Sequence, residues 1–309
     1  MQHFIPTIVL AIGFSACSAS IDVAQYPAQP FHQAPVAQGT AKFSILGTAR
    51  FETGEFTTYS GGSLWKDRQM DHAAVLVEHP RGTFLFDSGL GEHIDQQYER
   101  MPWWIPLIMS YTRGQSALSQ LKSRQYDQGQ IQFIIPSHLH WDHASGLPDF
   151  PDTKVWITPA ELEYARQHGS PPAFLPEQYA IPADRWHIIT FTNQPYENFA
   201  QSLDIFGDGA VVLVPLPGHS GGPVGMFLRS ASGQRYFFIG DTTWVLEGVQ
   251  IPATKQYFAS RMADMDPEAI KATIVQVHRL QQKYPQLIIV PAHDHQVIKN
   301  LPQFPEFTP

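Results

Sequence analysis

Four side chains with ligand chemistry fall within six residues: His138, His140, Asp142 and His143, in His138-Leu139-His140-Trp141-Asp142-His143. Imidazole and carboxylate are donors that zinc takes readily. The cluster follows Ile131 to Ile135, an apolar run that reads as a buried strand. Alternate residues of extended backbone share a face, so His138 and His140 point the same way. Asp142 and His143 then turn toward a second position. A solvated polar loop is the bland explanation, and four donors so close together argue against it.

Three more segments each offer one donor at a strand end. Pro217-Gly218-His219-Ser220-Gly221-Gly222 places His219 in a glycine-rich turn. Ile239-Gly240-Asp241 ends an apolar strand on a carboxylate, and Pro291-Ala292-His293-Asp294 ends another on an imidazole. Taken singly, each reads as an ordinary turn residue. Taken with the first cluster, they fit one order along the chain and one side of a sheet.

The elements that must hold these residues alternate between strand and helix. Ala73 to Val77 and Thr83 to Phe86 read as strands around a Pro80-Arg81-Gly82 turn. Ser116 to Arg124 and Pro159 to His168 read as helices. Val211 to Val214, Val224 to Leu228, Tyr236 to Ile239 and Leu287 to Val290 read as further strands. Pro267 to Tyr284 is amphipathic, with Ile270, Ile274, Val277 and Leu280 on one face and Asp266 as its N-cap.

The order of donors resembles the metallo-β-lactamase superfamily: HxHxDH, a Gly-His turn, a Gly-Asp strand end and a late His. The resemblance covers nearly all of residues 42–300, and Asp87 and Gly89 match that family's early Asp-x-Gly. It implies an α/β fold, a single-domain four-layer αβ/βα sandwich with metals at one edge of the sheets. It also implies that His138, His140 and His219 hold one Zn2+ ion and Asp142, His143 and His293 a second, with Asp241 bridging. Another divalent metal would suit the same donors. Two such ions about 4 Å apart share a hydroxide that attacks a carbonyl, with Asp142 as the proton shuttle.

Single residues separate the branches of that superfamily. Its β-lactamases carry Cys or Ser where this chain has Asp241, and its flavodiiron oxidases carry a carboxylate where this chain has His140. The nuclease branches usually carry an added nucleic-acid-binding module, for which 309 residues leave no room. Iron-dependent persulfide dioxygenases use only three of the ligands. The stretch from Ser137 to Gly146 is most similar to N-acyl homoserine lactone lactonases, as is Ala292-His293-Asp294 followed by Gln296. Those lactonases usually place a Tyr three residues after the bridging Asp, donating to the substrate carbonyl. Here that position is Trp244, whose indole has one N–H and no acidic hydroxyl. A glyoxalase II-like thioesterase or another esterase is the alternative. A non-catalytic metal- or ligand-binding lipoprotein is the alternative of a different class, and the intact set of seven donors speaks against it.

Composition limits the partners. Of 309 residues 43% are hydrophobic and 16% charged, which supports a large core. A net charge of −8 with no Lys/Arg cluster argues against nucleic acid. A small molecule with an apolar acyl part is the expected substrate. Met101 to Met109 is an apolar stretch of the core or of an interface, or else a lid for that acyl chain or a contact with the membrane, with Trp103 and Trp104 as candidate substrate contacts beside Trp244. His72 and His295 read as supporting histidines rather than ligands.

The N-terminus reads as an export signal. Phe4 to Phe14 is too short to span a bilayer and suits a signal-peptide core over residues 1–16. Phe14-Ser15-Ala16-Cys17 resembles the lipobox of bacterial lipoproteins, and Cys17 is the only Cys of the chain. The expectation is a lipid anchor on Cys17 in the bacterial envelope, at the outer membrane because Ser18 follows, facing periplasm or exterior. Residues 17–41, rich in Ala, Gln and Pro, read as a flexible tether reaching on the order of 25 Å, and residues 42–309 as the domain.

Overall fold

The computed structural model describes residues 20–34 and 36–309. The signal peptide expected over residues 1–16, and Cys17, lie outside the described residues. Two sheets carry the fold. The first has seven strands: β1 (Lys42–Gly54), β2 (Asp67–His79), β3 (Gly82–Phe86), β4 (Thr112–Arg113), β5 (Ile131–Ile135), β6 (Lys154–Ile157) and β7 (Trp186–Ile188), in the order β4-β1-β2-β3-β5-β6-β7. The second has five: β8 (Leu203–Asp204), β9 (Val211–Pro215), β10 (Val224–Arg229), β11 (Arg235–Phe238) and β12 (Ile288–Val290), in the order β12-β11-β10-β9-β8. β3, β5, β6 and β7 run parallel, as do β11 and β12. The loops leaving β5, β11 and β12 are therefore delivered to one edge.

Alternation along the strands builds the layers. Phe43, Ile45, Val75, Val77, Phe84 and Phe86 point inward and meet Leu213, Met226 and Phe238 of the other sheet. Their neighbours Leu46, Ala74, Leu76 and Leu85 point outward, under Leu118 and Leu121 of the Ala117–Ser123 helix and Leu162 of the Pro159–His168 helix. On the far side, Val212, Val214, Phe237 and Ile289 are covered by Val277 and Leu280 of the Pro267–Lys283 helix. The four layers are thus helix, sheet, sheet, helix in a single domain. The Asp266 carboxylate caps that last helix by accepting from the backbone N–H of Glu268 and Ala269.

Residues 20–41 do not behave as a free tether over their described part. Ile21 N–H donates to Pro252 O at 2.6 Å, and Gln38 N–H to Asp208 O at 2.7 Å. Between these points the Arg279 guanidinium donates to the carbonyls of Val23, Tyr26 and Pro27. Phe31 packs on the core beneath the Pro267–Lys283 helix. The composition suggested a coil. Backbone carbonyls gathered by one buried-edge guanidinium, and one aromatic anchor, are enough to lay it down.

Among the described residues no helix is long and apolar enough to cross a membrane.

Candidate metal centre

The loop after β5 turns sharply because Asp87 holds it. Asp87 adopts a left-handed backbone (φ 59°) directly after β3. Its carboxylate accepts from Ser137 N–H at 2.6 Å and from the Ser137 hydroxyl at 3.1 Å. The same carboxylate lies 3.0 Å from His143 Nδ1, which orients that ring with its Nε2 toward the centre. Gly218, at φ 122°, lets the next ligand loop press on the Pro267–Lys283 helix. A Cβ there would stand 2.2 Å from Ile270 N.

The structure brings all seven sequence-marked donors together at the sheet edge. Ligand atoms of His138, His140 and His219 fall within 4.8 Å of one another, and so do those of His138, His143 and Asp241. His138 Nε2 and His219 Nε2 face each other at 3.1 Å. Asp241 Oδ1 lies 3.2 Å from His143 Nε2 and 3.0 Å from His293 Nε2, while its Oδ2 lies 3.4 Å from His219 Nε2. Asp142 Oδ2 lies 3.3 Å from His293 Nε2 and 3.7 Å from His143 Nε2. Asp241 thus touches histidines of both groups.

These residues fit a metal on their own chemistry. His143 Nε2 and Asp241 Oδ1 are buried with no hydrogen-bond partner among the described residues, a costly state for polar atoms unless a cation fills it. Burial, then the neighbouring imidazoles, drive His138 and His140 well below the usual histidine range, so both stay neutral and keep a lone pair. Burial opposes charge on Asp142 and Asp241 too, but the surrounding histidines outweigh it and hold both carboxyls below their ordinary range. Burial likewise opposes charge on His143 and His293. There the carboxylates win: Asp87, Asp142 and Asp241 lift His143, and Asp241 and Asp142 lift His293. A bound cation would supply the positive charge that these carboxylates otherwise draw from the imidazoles.

Several supporting residues carried no mark in the sequence. Glu161 is fully buried and accepts from Leu139 N–H, Gly222 N–H and the Ser220 hydroxyl at 2.7–2.8 Å, tying the His138/His140 loop to the His219 loop. His219 Nδ1 lies 2.8 Å from Asp264 Oδ1. Buried Lys255 donates to that same oxygen at 2.8 Å and to Asp241 O at 2.7 Å. Burial works against the Asp264 charge, and Lys255 and His219 overcome it, bringing its carboxyl down to about 2. His72, expected as a supporting residue, is buried with its Nδ1 3.2 Å from Asp142 Oδ2, and it can also form a third donor group with Asp142 and His293. His295 stays outside these groups, with Nδ1 2.9 Å from Asp71 Oδ2.

A cavity of about 340 Å³ opens over the donors. Asp142, His140 and Asp241 lie at its floor, and Phe51, Phe56, Met109, Phe258 and Met262 form apolar walls. Trp244 lines it, yet its indole N–H is spent on Asp241 Oδ2 at 2.8 Å. Trp103 and Trp104 are not among its lining residues, which corrects the expectation for them. Met101 and Ile105 bury against Leu90, Ile94, Trp141 and Leu175. That packing turns Trp103 outward, 81% exposed, and leaves Trp104 on the cluster's flank. Met109 reaches the cavity from the same segment.

A four-layer sandwich with converging His and Asp donors at its edge is the architecture of a metal-dependent enzyme. The model of the metallo-beta-lactamase superfamily matches residues 68–293, and the chain belongs to that superfamily. It is 22% identical over 238 residues to the N-acyl homoserine lactonase AttM of Rhizobium radiobacter, covering 75% of this chain and 85% of that one. It is 27% identical over 241 residues to a Mycobacterium tuberculosis protein named a probable metallo-hydrolase, covering 71% and 73%. Among solved structures, an N-acyl homoserine lactone hydrolase with N-hexanoyl-L-homoserine at its catalytic metal centre has a TM-score of 0.69 at 20% identity, covering 88% of this chain and all of that one. A point variant of the Bacillus thuringiensis lactonase AiiA with N-decanoyl-L-homoserine bound at its active site has a TM-score of 0.69 at 21% identity and the same coverage. At such identity the structures speak for the fold.

Proposed function

We propose that the protein is a dinuclear zinc hydrolase of lactones or esters with an apolar acyl chain, N-acyl homoserine lactones being the first candidates. The observation that carries this reading is the cavity itself, with donor groups at the floor and aromatic and methionine side chains as walls. That combination suits a substrate with one polar, scissile carbonyl and a greasy tail. Relatives with bound acyl homoserines favour the same class.

His138, His140 and His219 would hold one ion, and Asp142, His143 and His293 the other, with Asp241 between them. Two bound zinc ions supply a nucleophile at neutral pH and polarise the carbonyl. The chain supplies the rest. Asp142, ionised and at the cavity floor, takes the proton released on attack and returns it to the leaving oxygen. Lys255, Asp264 and Glu161 fix the His219 loop. The apolar walls exclude water and place the acyl chain.

A simple ester or thioester is the second reading, favoured by Trp244. Its single N–H is engaged with Asp241, so no side-chain donor at that position meets a lactone carbonyl. The test is pH-stat hydrolysis of hexanoyl and decanoyl homoserine lactones, a decanoyl ester and a decanoyl thioester by zinc-loaded protein, with metal counted per chain. Acid release lost in His140→Ala supports the hydrolase, and the preferred substrate separates the readings. No release from any of them by a chain holding two zinc ions rejects the function.

We further infer that residues 1–16 direct export and that Cys17 is acylated, from the apolar run and the small residues before the only Cys. Incorporation of labelled palmitate that disappears in Cys17→Ser tests this.

A further inference from the structure

The chain exposes a cluster of large apolar side chains beside the cavity mouth. Trp65 is 93% exposed, Phe258 70%, Leu64 69% and Tyr257 67%, with Phe56 and Met262 part-exposed next to them. Two elements bring them together. The loop 55–66 is closed by Glu55 N–H to Lys66 O at 2.8 Å and Phe56 N–H to Ser63 O at 3.2 Å, and Leu64 and Trp65 bulge outward between these two closures. The Tyr257–Ala263 helix lies alongside, joined through Ser60 N–H to Thr254 O at 2.8 Å. The Tyr257 and Phe258 rings pack at 5.6 Å. Phe56, Phe258 and Met262 belong both to this patch and to the cavity wall.

The N-terminal segment enters the body at the same place. Ile21 N–H donates to Pro252 O, and Ile21, Phe56, Leu64 and Tyr257 line one open groove. Cys17 precedes Ser20 by three residues, which span at most about 11 Å even when fully extended. A lipid on Cys17 would therefore lie within about 11 Å of Ser20, which lines the same open groove as Leu64 and Tyr257. Trp and Tyr are the side chains that favour the membrane–water boundary. A net charge of −8 argues for insertion of apolar side chains rather than attraction to acidic headgroups.

We propose that this face rests on a lipid bilayer, with Leu64, Trp65, Tyr257 and Phe258 inserted at the headgroup level, so that the cavity opens toward the membrane and receives acyl substrates from it. The occupant is set by where the segment ending at Ser20 leaves the body, an argument that rests on the acylation proposed for Cys17, and it does not depend on which ester is cleaved.

The test uses the chain from Ser20, which contains all four layers of the core. It is mixed with phosphatidylcholine vesicles, with and without phosphatidylglycerol, and binding is read by flotation and by quenching of tryptophan emission with brominated lipid. The expected result is binding to both vesicle types that is insensitive to salt. The variant Leu64→Ser/Trp65→Ser/Tyr257→Ser should bind at least tenfold more weakly, with unchanged melting temperature, zinc content and hydrolysis of a soluble short-chain ester. Trp65→Phe alone should remove most of the quenching. Three results overturn the proposal: no flotation with either vesicle type, binding that needs phosphatidylglycerol and vanishes in salt, or binding the triple variant retains. Self-association of the native chain abolished by the same variant, without flotation, would assign the patch to a second copy instead.

Discussion

His72 Nδ1 lies 3.2 Å from Asp142 Oδ2, and the two residues are carried by different layers. His72 comes from β2, and Asp142 from the short Trp141–Ala144 helix laid across that strand. Phe51 stacks on the His72 ring at 5.1 Å and 24°, fixing its plane. Burial lowers the His72 pKa against the pull of Asp142, so the ring stays neutral and offers a lone pair or one N–H.

His72→Phe should therefore preserve the stack and lose the polar contact. Affinity for the more weakly held zinc should fall about 10- to 100-fold, as when other outer partners of metal ligands are removed. Competition with a chromogenic chelator measures this directly, and unchanged affinity for both ions would remove His72 from the centre.

Lys255 is buried against Asp264 and Asp241 O. Lys255→Met leaves the Asp264 carboxylate buried beside His219 without its cation, a change costing about 3–5 kcal/mol in comparable buried pairs. Adding Asp264→Asn should restore part of that loss. Urea unfolding of the two variants and the double variant reads the coupling.

Trp244 holds Asp241 Oδ2. Trp244→Phe should weaken zinc binding by roughly tenfold or more. Trp244→Tyr places a phenolic hydroxyl near the same position, and the ratio of lactone to simple ester turnover should rise. A ratio that stays constant across native, Phe and Tyr chains would show that the side chain at this position does not meet the substrate carbonyl.

Asp149 gives a pH dependence away from the metals. Burial lifts its carboxyl to about 6, the Glu92 backbone N–H pulls the other way, and the Glu92 charge adds to the rise. Its Oδ1 has no hydrogen-bond partner among the described residues. The folded-state value lies above the unfolded one of about 3.9. The protonated acid therefore stabilises the fold fully below about pH 4, and that contribution is gone once pH passes about 6. Asp149→Asn should melt roughly 2–4 °C above the native chain at pH 8, the size of a change of about 1 kcal/mol. The difference should vanish near pH 4.

The ligands were legible in the sequence because each comes after an apolar strand and breaks its pattern with a donor: Ile131 to Ile135 before His138, Tyr236 to Ile239 before Asp241, Leu287 to Val290 before His293. The layers were legible from strand alternation and from the Ile270, Ile274, Val277 and Leu280 stripe. The supporting groups were hidden for definable reasons. Thr158-Pro159-Ala160-Glu161 has the form of a capping box. Thr158 does cap Glu161 N–H, while the Glu161 carboxylate turns to the ligand loops. Lys255 and Asp264 sit in a stretch without periodicity, and only the tertiary fold brings them under His219. In β2, His72 shares the parity of Ala74 and Leu76, which marks it as helix-covered but not as a neighbour of Asp142. Trp103 and Trp104 misled because an apolar run says nothing about which of its faces meets the cavity.

The two sheets are sewn together at the donor edge. Val224 N–H donates to Ser137 O at 2.9 Å, Asp71 N–H to His293 O at 3.0 Å, and Met70 bridges Asp294. Each stitch joins a ligand, or a residue beside one, to the opposite sheet. Heating cannot part the sheets without dispersing the donors, nor disperse the donors without freeing the sheets. Inactivation and unfolding should then share one temperature, and no dormant folded form should accumulate between them.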